Sequence, residues 1–507
     1  MMESEIKLTL DANTVTRIRK SPLLRSYAVS TPREQAHIDR YFDTGGRDLW
    51  KNGVALRVRS HGDRHVQALK GVGSAVAGLH QRVELEHDVP SGAPDVALFR
   101  QQLREALPNA GAADGLDGAE LAAEPVFVNR TTRTVWLLAL PDGTEVECAL
   151  DIGELQRGDD TARICELELE MKRGDPACLY RLAEQIHADV PVHIGTISKA
   201  ERGYALGRAH TRRAVKAMPL VLERKRSLGE ALGEILGNCL QQVLANEEGV
   251  LDGDVDSLRQ MRVGLRRLRA AQAMVRDLVR LPPPVAGHID WLAGELGHAR
   301  NWDVFLGSVL PGIPISAGQQ PAFERVVAAA RTEADQHRAR VRTALASPRY
   351  TSLMLALGGW IATRGWTQSE HGAALARRVA KAALPLVRHA AARVRKRARG
   401  DDLKRPECLH KMRIAARTER HAREFFAAFV HGKQARRRQR ALTDLQDELG
   451  AIDDAAVARG LVAQLRERAP QEAGMLGFIE GVLAARAADA MPGARRHIKK
   501  RMRGKTA

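Results

Sequence analysis

The spacing of charged and apolar residues changes once along the chain. As far as about residue 205, short segments such as Glu3–Leu8 and Cys165–Glu170 alternate charged and apolar side chains with period two, which predicts strands. From about Ser227 onward, long stretches rich in Ala, Leu and Arg have the period of helices. A chain of 507 residues with two such parts predicts a β-rich domain followed by an all-α domain.

The period-two segments place acids and bases on the same face of each strand. Glu3, Glu5 and Lys7 share one parity, and so do Arg57 and Arg59. If the sheet closes into a barrel, these side chains converge inside it, where like charges are costly unless a ligand compensates them. Carboxylates suit hard divalent cations, whereas Arg and Lys suit anions, so a metal-bound polyphosphate would satisfy both sets. The segments that alternate in this way are Glu3–Leu8, Ala55–Arg59, His65–Lys70, Gln81–Glu86, Thr144–Cys148 and Cys165–Glu170.

Charge is divided unequally between the two parts. Residues 1–210 carry 26 Lys and Arg against 31 Asp and Glu, whereas residues 211–507 carry 53 against 30. A strongly basic domain attracts polyanions by its long-range field. Aromatic residues make up only 4% of the chain, which disfavours a nucleic-acid surface built on base stacking. The second half is therefore predicted to bind an anion such as a chain of phosphates.

An internal repeat within the helical part carries most of this charge. Two sets of four cations have the same relative positions of 0, 3, 7 and 10, which places each set on one side of a helix as a cationic stripe. Two bundles related by duplication would bring the two stripes together. The first stripe is Arg259, Arg262, Arg266 and Arg269, and the second is His410, Arg413, Arg417 and Arg420.

These motifs resemble two known families. Residues 1–205 resemble the CYTH, or triphosphate tunnel metalloenzyme, domain, through the ExExK signature Glu3–Lys7 and an ordered series of further motifs. The helical part resembles the CHAD domain through Arg259–Arg269 and Leu409–Arg413. The whole chain is similar to bacterial inorganic triphosphatases. The further CYTH motifs are Tyr41–Thr44, Gly53–Arg59, Ala68–Gly71, Arg82–Glu84, Arg130, Asp151–Gly153, Glu166–Glu170 and Ser198–Tyr204.

The resemblance implies an α+β multidomain chain. Its N-terminal part would be an eight-stranded antiparallel β-barrel forming a tunnel, with flanking helices, and its C-terminal part an all-α duplicated helical bundle. Triphosphate would be hydrolysed in the tunnel with Mg²⁺ or Mn²⁺, and Glu3, Glu5 and Lys7 would be catalytic. The metal ligands would be Glu3, Glu5, Asp151, Glu168 and Glu170, although Glu166 and Glu84 share the required parity. Phosphate would be bound by Arg57, Arg59, Lys70, Arg82, Arg130 and Lys199, and polyphosphate by the two stripes.

Two departures from the CHAD pattern affect these expectations. The family opens its first repeat with His, where this chain has Arg259, so we expect the stripes to bind anions rather than metal. Glu419 replaces an apolar residue, so it is either partly buried with an Arg partner or turned outward. Three other functions remain open: a non-enzymatic polyphosphate-binding protein, a thiamine triphosphatase or adenylate cyclase acting on an organic triphosphate, and an RNA- or DNA-binding protein.

The sequence also predicts domain boundaries and location. We expect the tunnel domain at 1–208, a linker at 209–226, the two helical repeats at 227–490 and a basic tail at 491–507. No stretch approaches the ~18 apolar residues of a membrane span, and the acidic N-terminus has no leader. We therefore expect a cytoplasmic protein, associated with polyphosphate granules if the basic half binds them, whose partners are inorganic triphosphate and polyphosphate and not a membrane. The oligomeric state is not predicted.

Overall fold

The computed structural model describes residues 2–499 except 72–73, 77, 107–115, 117–119, 208–212, 368–370, 401–402 and 404. It divides into two compact units. The first comprises residues 1–212 with 347–363, and the second comprises residues 213–346 with 364–507. Among the described residues, no helix combines the length and apolar character needed to cross a bilayer.

The first unit contains a closed antiparallel barrel. Strands β1, β9, β8, β7, β2, β3, β4 and β6 are hydrogen-bonded in that order, and β6 pairs with β1 to close the ring, while β5 and β10 extend it at the edges. The eight-stranded barrel expected from the family resemblance is confirmed. The strands are β1 Met2–Thr9, β2 Arg33–Phe42, β3 Ala55–His61, β4 Arg64–Lys70, β5 Ser74–Val76, β6 Leu79–Val89, β7 Phe127–Ala139, β8 Glu145–Arg157, β9 Asp160–Arg173 and β10 His193–Ile194.

Each segment predicted from period-two alternation lies in a strand, except that Thr144 precedes β8, and β2, β5, β7 and β10 were not predicted from the alternation. Apolar side chains of the opposite parity, such as Ile6, Leu167 and Leu169, are fully buried outside the lumen. The barrel wall is therefore covered over part of its outer face and lined with charge inside. Around it lie α1 Val15–Arg19, α2 Pro22–Tyr27, α3 Asp48–Lys51, α4 Val96–Ala106, α5 Ala177–Asp189 and α6 Lys199–Ala205.

One helix of the first unit comes from the second half of the chain. Helix α12, Pro348–Ala362, packs on α5, where a Cβ added to Gly359 would lie 3.2 Å from the side chain of Tyr180. Nε2 of His187 donates to the carbonyl oxygen of Pro348 at 3.0 Å. The first unit therefore includes a helix from outside residues 1–208, the range predicted for the tunnel domain.

The second unit is helical, as expected. Its first helix begins after Ser227, which caps it together with Glu230 in a capping box. The helices are α7 Leu228–Leu244, α8 Glu247–Leu251, α9 Val255–Val275, α10 Pro283–Val304, α11 Gln320–Leu345, α13 Gly372–Ala376, α14 Val379–Gly400, α15 Pro406–Phe425, α16 Lys433–Arg468 and α17 Ala473–His497.

The predicted basic tail at 491–507 begins too early. Helix α17 continues through His497, and Ala494 and Ile498 are fully buried in an apolar cluster with Met412 and Leu445. The arginines at the end of this helix thus lie on an element anchored by apolar side chains at every third or fourth position. Residues 500–507 of the predicted tail lie outside the described residues.

Candidate functional site

The charged side chains of the barrel line a cavity of about 240 Å³. Among the described residues, eight cationic and six acidic side chains line it, and very little of its wall is apolar. The alternation of the strands produces this arrangement, because side chains of one parity all face the lumen. The lining charges are Lys7, Arg57, Arg59, Lys70, Arg82, Arg133, Lys172, Lys199, Glu3, Glu84, Glu86, Glu147, Glu168 and Glu170.

Three carboxylates form a cluster against this cavity. Oxygen atoms of Asp151, Glu166 and Glu168 all lie within 4.8 Å of one another. They come from neighbouring strands, since Asp151 on β8 lies opposite Glu166 on β9. Three oxygen ligands without nitrogen or sulfur suit a hard divalent cation such as Mg²⁺ or Mn²⁺. The residues present therefore fit the metal that the resemblance implies.

Buried cations neutralise these carboxylates. Nζ of Lys199 lies 2.7 Å from Asp151 and 3.0 Å from Glu168, and it also contacts Glu166. Arg133 lies 2.6 Å from both Asp151 and Glu168. Although burial by itself raises the pKa of Asp151, Lys199 and Arg133 lower that pKa to about 2. Asp151 is therefore ionised at neutral pH, and the cluster is held by cations that a phosphate could also engage.

A second group of charges surrounds the ExExK segment. Arg82 bonds to Glu3 at 3.0 Å and to Glu5 at 2.5 Å, and Lys7 lies 3.2 Å from Glu5 while also contacting Glu168. Burial lowers the pKa of Lys7, but Glu168 and Glu5 raise it by more. Glu5 is nearly inaccessible, at 2% exposure, and it is not part of the three-carboxylate cluster.

The remaining lumen cations face β6 and β2. Arg57 bonds to Glu84 at 3.2 Å and to Glu86 at 2.9 Å, and Arg59 bonds to the buried Asp39 at 2.7 Å. Burial and the nearby Arg82 lower the pKa of Lys70, even though Glu84 lies 2.9 Å away. An anion entering here would relieve repulsion among the cations.

The structure does not bring Arg130 into the lumen. On β7 the side chain of Asn129 faces Asp39 inside the barrel at 3.0 Å, so its neighbour Arg130 points outward and is exposed. Arg133 occupies the lumen instead. Arg133 shares the parity of Asn129, and the register of β7 and β8 places it directly opposite Asp151. Arg130, which was expected to bind phosphate in the lumen, therefore lies on the outer face. The lumen cation of β7 is Arg133, three residues later.

Helix α6 positions Lys199 at the cavity. Ser198 caps this helix in a capping box with Glu201. At the other end, the hydroxyl of Tyr204 donates to the buried Asp43 at 2.8 Å, and its ring stacks on Trp50 with centroids 4.4 Å apart. Gly203 leaves the space that Phe127 fills, because a Cβ there would lie 2.1 Å from that ring. These contacts fix the helix and hence the Lys199 ammonium group.

The two cationic stripes of the second unit also meet. Arg262 and Arg266 from α9 and His410, Arg413 and Arg417 from α15 line one cavity of about 260 Å³. The outer members are placed differently: Arg259 is exposed and pairs with Asp256 at 3.3 Å, and Arg269 is exposed and pairs with Asp290 at 3.0 Å. Arg420 is half-buried beside the stripe. The paired arrangement expected from the repeat is thus present for its central residues.

The arginines of this cavity are short of negative charge. Burial and the neighbouring Arg417 lower the pKa of Arg266 to about 9, and burial and Arg413 lower that of Arg417 to about 10. Within the part of the chain that the structure covers, the buried Nε atoms of Arg266 and Arg420 have no hydrogen-bond partner. Two aspartates provide partial compensation: Asp453 accepts from Arg413 and His410, and the nearby Asp454 raises the pKa of Arg262 and Arg417, though by less than burial lowers it. The cavity therefore favours an anionic ligand.

Glu419 belongs to the interior of the helical unit. Its fully buried carboxylate accepts from Arg423 at 3.0 Å and from Arg438 at 2.6 Å. Of the two alternatives left by the sequence, burial with arginine partners is therefore the one found, with Arg438 supplied by α16.

Comparison with known proteins assigns both parts of the chain. Residues 1–204 match the CYTH domain family and residues 234–463 match the CHAD domain family. An inorganic triphosphatase of Haemophilus influenzae is 28% identical over 212 residues, which are 41% of this chain and 56% of the relative. The chain therefore spans little more than half the length of that relative.

Solved structures add a similarity in each part. The CHAD domain of the plant Ricinus communis is 34% identical with a TM-score of 0.51, covering 57% of this chain and 97% of its own. A putative adenylyl cyclase from Hippeastrum, described as having a dominant triphosphatase activity, is 21% identical with a TM-score of 0.30, covering 40% of this chain and 95% of its own.

Proposed function

We propose, since residues 1–204 are a CYTH domain and residues 234–463 a CHAD domain, that the chain hydrolyses inorganic triphosphate to diphosphate and phosphate in its barrel. The divalent metal would be Mg²⁺ or Mn²⁺. We further propose that the helical unit binds inorganic polyphosphate. The observation that carries the catalytic proposal is the cavity whose wall consists almost entirely of acids and bases, with Glu168 of the three-carboxylate cluster in that wall.

The lining favours an inorganic over an organic triphosphate. An organic group would need an apolar or aromatic platform, and Tyr41 is the aromatic side chain that the described residues bring to the cavity. Its ring is already stacked on Phe127, with centroids 4.3 Å apart. Phe42 is buried in an apolar cluster, and Trp50 is stacked on Tyr204. A chain of phosphates needs none of these contacts.

Binding and charge stabilisation account for the chemistry that this chain supplies. Asp151, Glu166 and Glu168 would hold a divalent cation, which adds positive charge at the phosphate oxygens when bound. Arg57, Lys70, Arg82, Arg133 and Lys199 would then donate to the non-bridging oxygens and align the terminal phosphate with an attacking water. Phosphoryl transfer depends mainly on such positioning and charge stabilisation, so no nucleophilic side chain is required.

The proposal for the helical unit rests on uncompensated arginines. Arg262, Arg266 and Arg417 keep their charge at neutral pH and lack a carboxylate within salt-bridge distance among the described residues. Phosphate oxygens are suitable partners for their planar guanidinium groups. Polyphosphate presents such oxygens in a repeating series, and successive contacts would add.

A substrate panel tests the catalytic proposal. The full chain with Mg²⁺ or Mn²⁺ should release phosphate from triphosphate faster than from diphosphate, ATP, thiamine triphosphate or long polyphosphate. Glu168→Gln should abolish turnover, whereas Glu154→Gln, on the exposed outer face of β8, should not affect it. Faster turnover of thiamine triphosphate or ATP would instead identify an organic substrate. Equal turnover by Glu168→Gln would contradict the site.

A binding assay tests the helical unit. The double variant Arg413→Ala with Arg417→Ala should weaken binding of long-chain polyphosphate while leaving triphosphate turnover unchanged. Exposed arginines of the same unit provide the matched control, Arg436→Ala with Arg440→Ala. Equal polyphosphate affinity for the two double variants would show that general basic charge, rather than the paired stripes, accounts for binding.

A further inference from the structure

The cavity of the helical unit has two chemically different walls. Arginines of α9 and α15 form one wall. The other consists mainly of apolar side chains, of which Val304, Val309 and Val457 are half-exposed. Asn301, Asp453 and Asp454 also line the cavity, and Asp453 is paired with His410 and Arg413. Inorganic polyphosphate has no apolar surface, so it can use only the cationic wall. The apolar lining residues are Val304, Phe305, Val309, Val457, Ala458 and Leu461.

The repeat relates the two sides of this cavity residue by residue, with one large difference. Val304 corresponds to Val457, and the next residues, Phe305 and Ala458, correspond to each other. All four line the cavity. Phe305 is also where α10 changes into a π-helical turn, Phe305–Val309, a feature frequent at functional sites. The second repeat thus offers a methyl group to the cavity where the first has a phenyl ring.

The cationic wall requires an anion next to this apolar wall. Arg266 is half-buried with its Nε lacking a partner among the described residues, and Arg262, Arg413 and Arg417 surround it. A phosphate group bound to these guanidinium groups would direct whatever it carries into the same cavity of about 260 Å³. An organic substituent on the phosphate would then contact Val457 and Ala458 instead of water.

We propose that this cavity binds a phosphate or diphosphate ester bearing a compact apolar group of about five carbons. The phosphate end occupies the arginine wall, so the inference rests on the anion-binding function proposed above, and the organic end occupies the wall of Val304, Val457, Ala458 and Leu461. Burying two or three methylene groups of such a substituent strengthens binding about tenfold or more.

Isothermal titration of the full chain without divalent cations tests this inference, with 3-methylbutyl diphosphate and methyl diphosphate as probes. We expect the 3-methylbutyl ester to bind at least tenfold more tightly than the methyl ester. Ala458→Phe should remove that preference. It gives the second repeat the same residue that the first repeat has at the corresponding position, Phe305. It should leave the affinity for methyl diphosphate within twofold. Arg413→Ala with Arg417→Ala should weaken both probes.

Equal affinity for the two esters in the unmodified chain would overturn the inference, and so would a preference that persists in Ala458→Phe. If thermal melting shows that Ala458→Phe is unfolded, Val457→Asn decides, because it keeps the cavity volume and removes apolar surface. Long-chain polyphosphate separates this inference from the proposed function. If the unmodified chain does not bind polyphosphate but prefers the 3-methylbutyl ester, only the polyphosphate proposal is contradicted. If it binds polyphosphate but shows no preference between the two esters, only the inference is contradicted.

Discussion

Two arginines on β7 provide the sharpest test of the barrel site. Arg133 faces the lumen and bonds to Asp151 at 2.7 and 2.6 Å and to Glu168 at 2.6 Å. Arg130, three residues earlier on the same strand, is exposed on the outer face. Replacing either by Ala removes the same side chain from the same element. The two variants therefore differ only in which side of the barrel loses a cation.

The expected magnitudes differ widely. Arg133→Ala breaks a buried ion pair, a change that costs about 3–5 kcal/mol of unfolding free energy, towards the lower end here because Lys199 still neutralises Asp151. Loss of one donor to the developing charge lowers kcat by about 10²–10³-fold. Arg130→Ala removes an exposed side chain, so its unfolding free energy should change by about 0.5 kcal/mol or less and its turnover should be unaltered.

Phosphate release from inorganic triphosphate and urea unfolding measure the two effects separately. Arg133→Lys adds a further comparison, because it keeps the charge but loses the forked geometry and should recover part of the turnover. If Arg130→Ala lost as much activity as Arg133→Ala, the assignment of the lumen face of β7 would be wrong. If Arg133→Ala turned over normally, phosphate contact by Arg133 would be refuted.

Three further predictions concern individual contacts. The pKa of Asp151 is lowered from an ordinary 3.8 to about 2. The ionised carboxylate therefore stabilises the fold above pH ~4, and this stabilisation is lost as the pH falls towards 2. The unfolding free energy of Asp151→Asn should not show this loss between about pH 4 and 2. Tyr204→Phe leaves Asp43 without one of its donors, so urea unfolding should show a loss of about 1–3 kcal/mol, and an unchanged midpoint would contradict the role of that bond. Glu419→Gln removes the negative charge that pairs with the buried Arg423 and Arg438 and should lower the unfolding free energy of the helical unit by about 3–5 kcal/mol, whereas Glu407→Gln, which is exposed, should not.

Local periodicity identified most of the barrel lumen. The parity of Glu3, Arg57 and Glu168 follows from the alternation of their own strands, and the structure places all three at the cavity. Arg133 was missed because its neighbours are threonines, which do not show which face of the strand is buried. Its role depends on the register between β7 and β8, which is a contact between distant segments and is not encoded in either segment alone.

The helical unit shows the same division between local and long-range information. The spacing of Arg262 and Arg266, and of Arg413 and Arg417, fixes each stripe within one helix, so the stripes could be predicted. Of the two partners of Glu419, Arg438 could not be predicted, because it lies on the following helix. The packing of α12 on α5 was likewise not predictable. Helix α12 lies within the sequence range of the helical domain but belongs to the first unit.

The two cavities compensate their cations in different ways, and this difference predicts different requirements for metal. In the barrel, Lys199 and Arg133 are already neutralised by Asp151, Glu166 and Glu168, so a bare phosphate must compete with carboxylates for every cation. A divalent cation that binds those carboxylates releases the cations for the phosphate. In the helical cavity, Asp453 and Asp454 are present, but Arg266 and Arg417 form no salt bridge among the described residues. Chelation with EDTA should therefore abolish triphosphate turnover while leaving polyphosphate affinity within about twofold, and loss of both would show that the helical cavity also needs a metal.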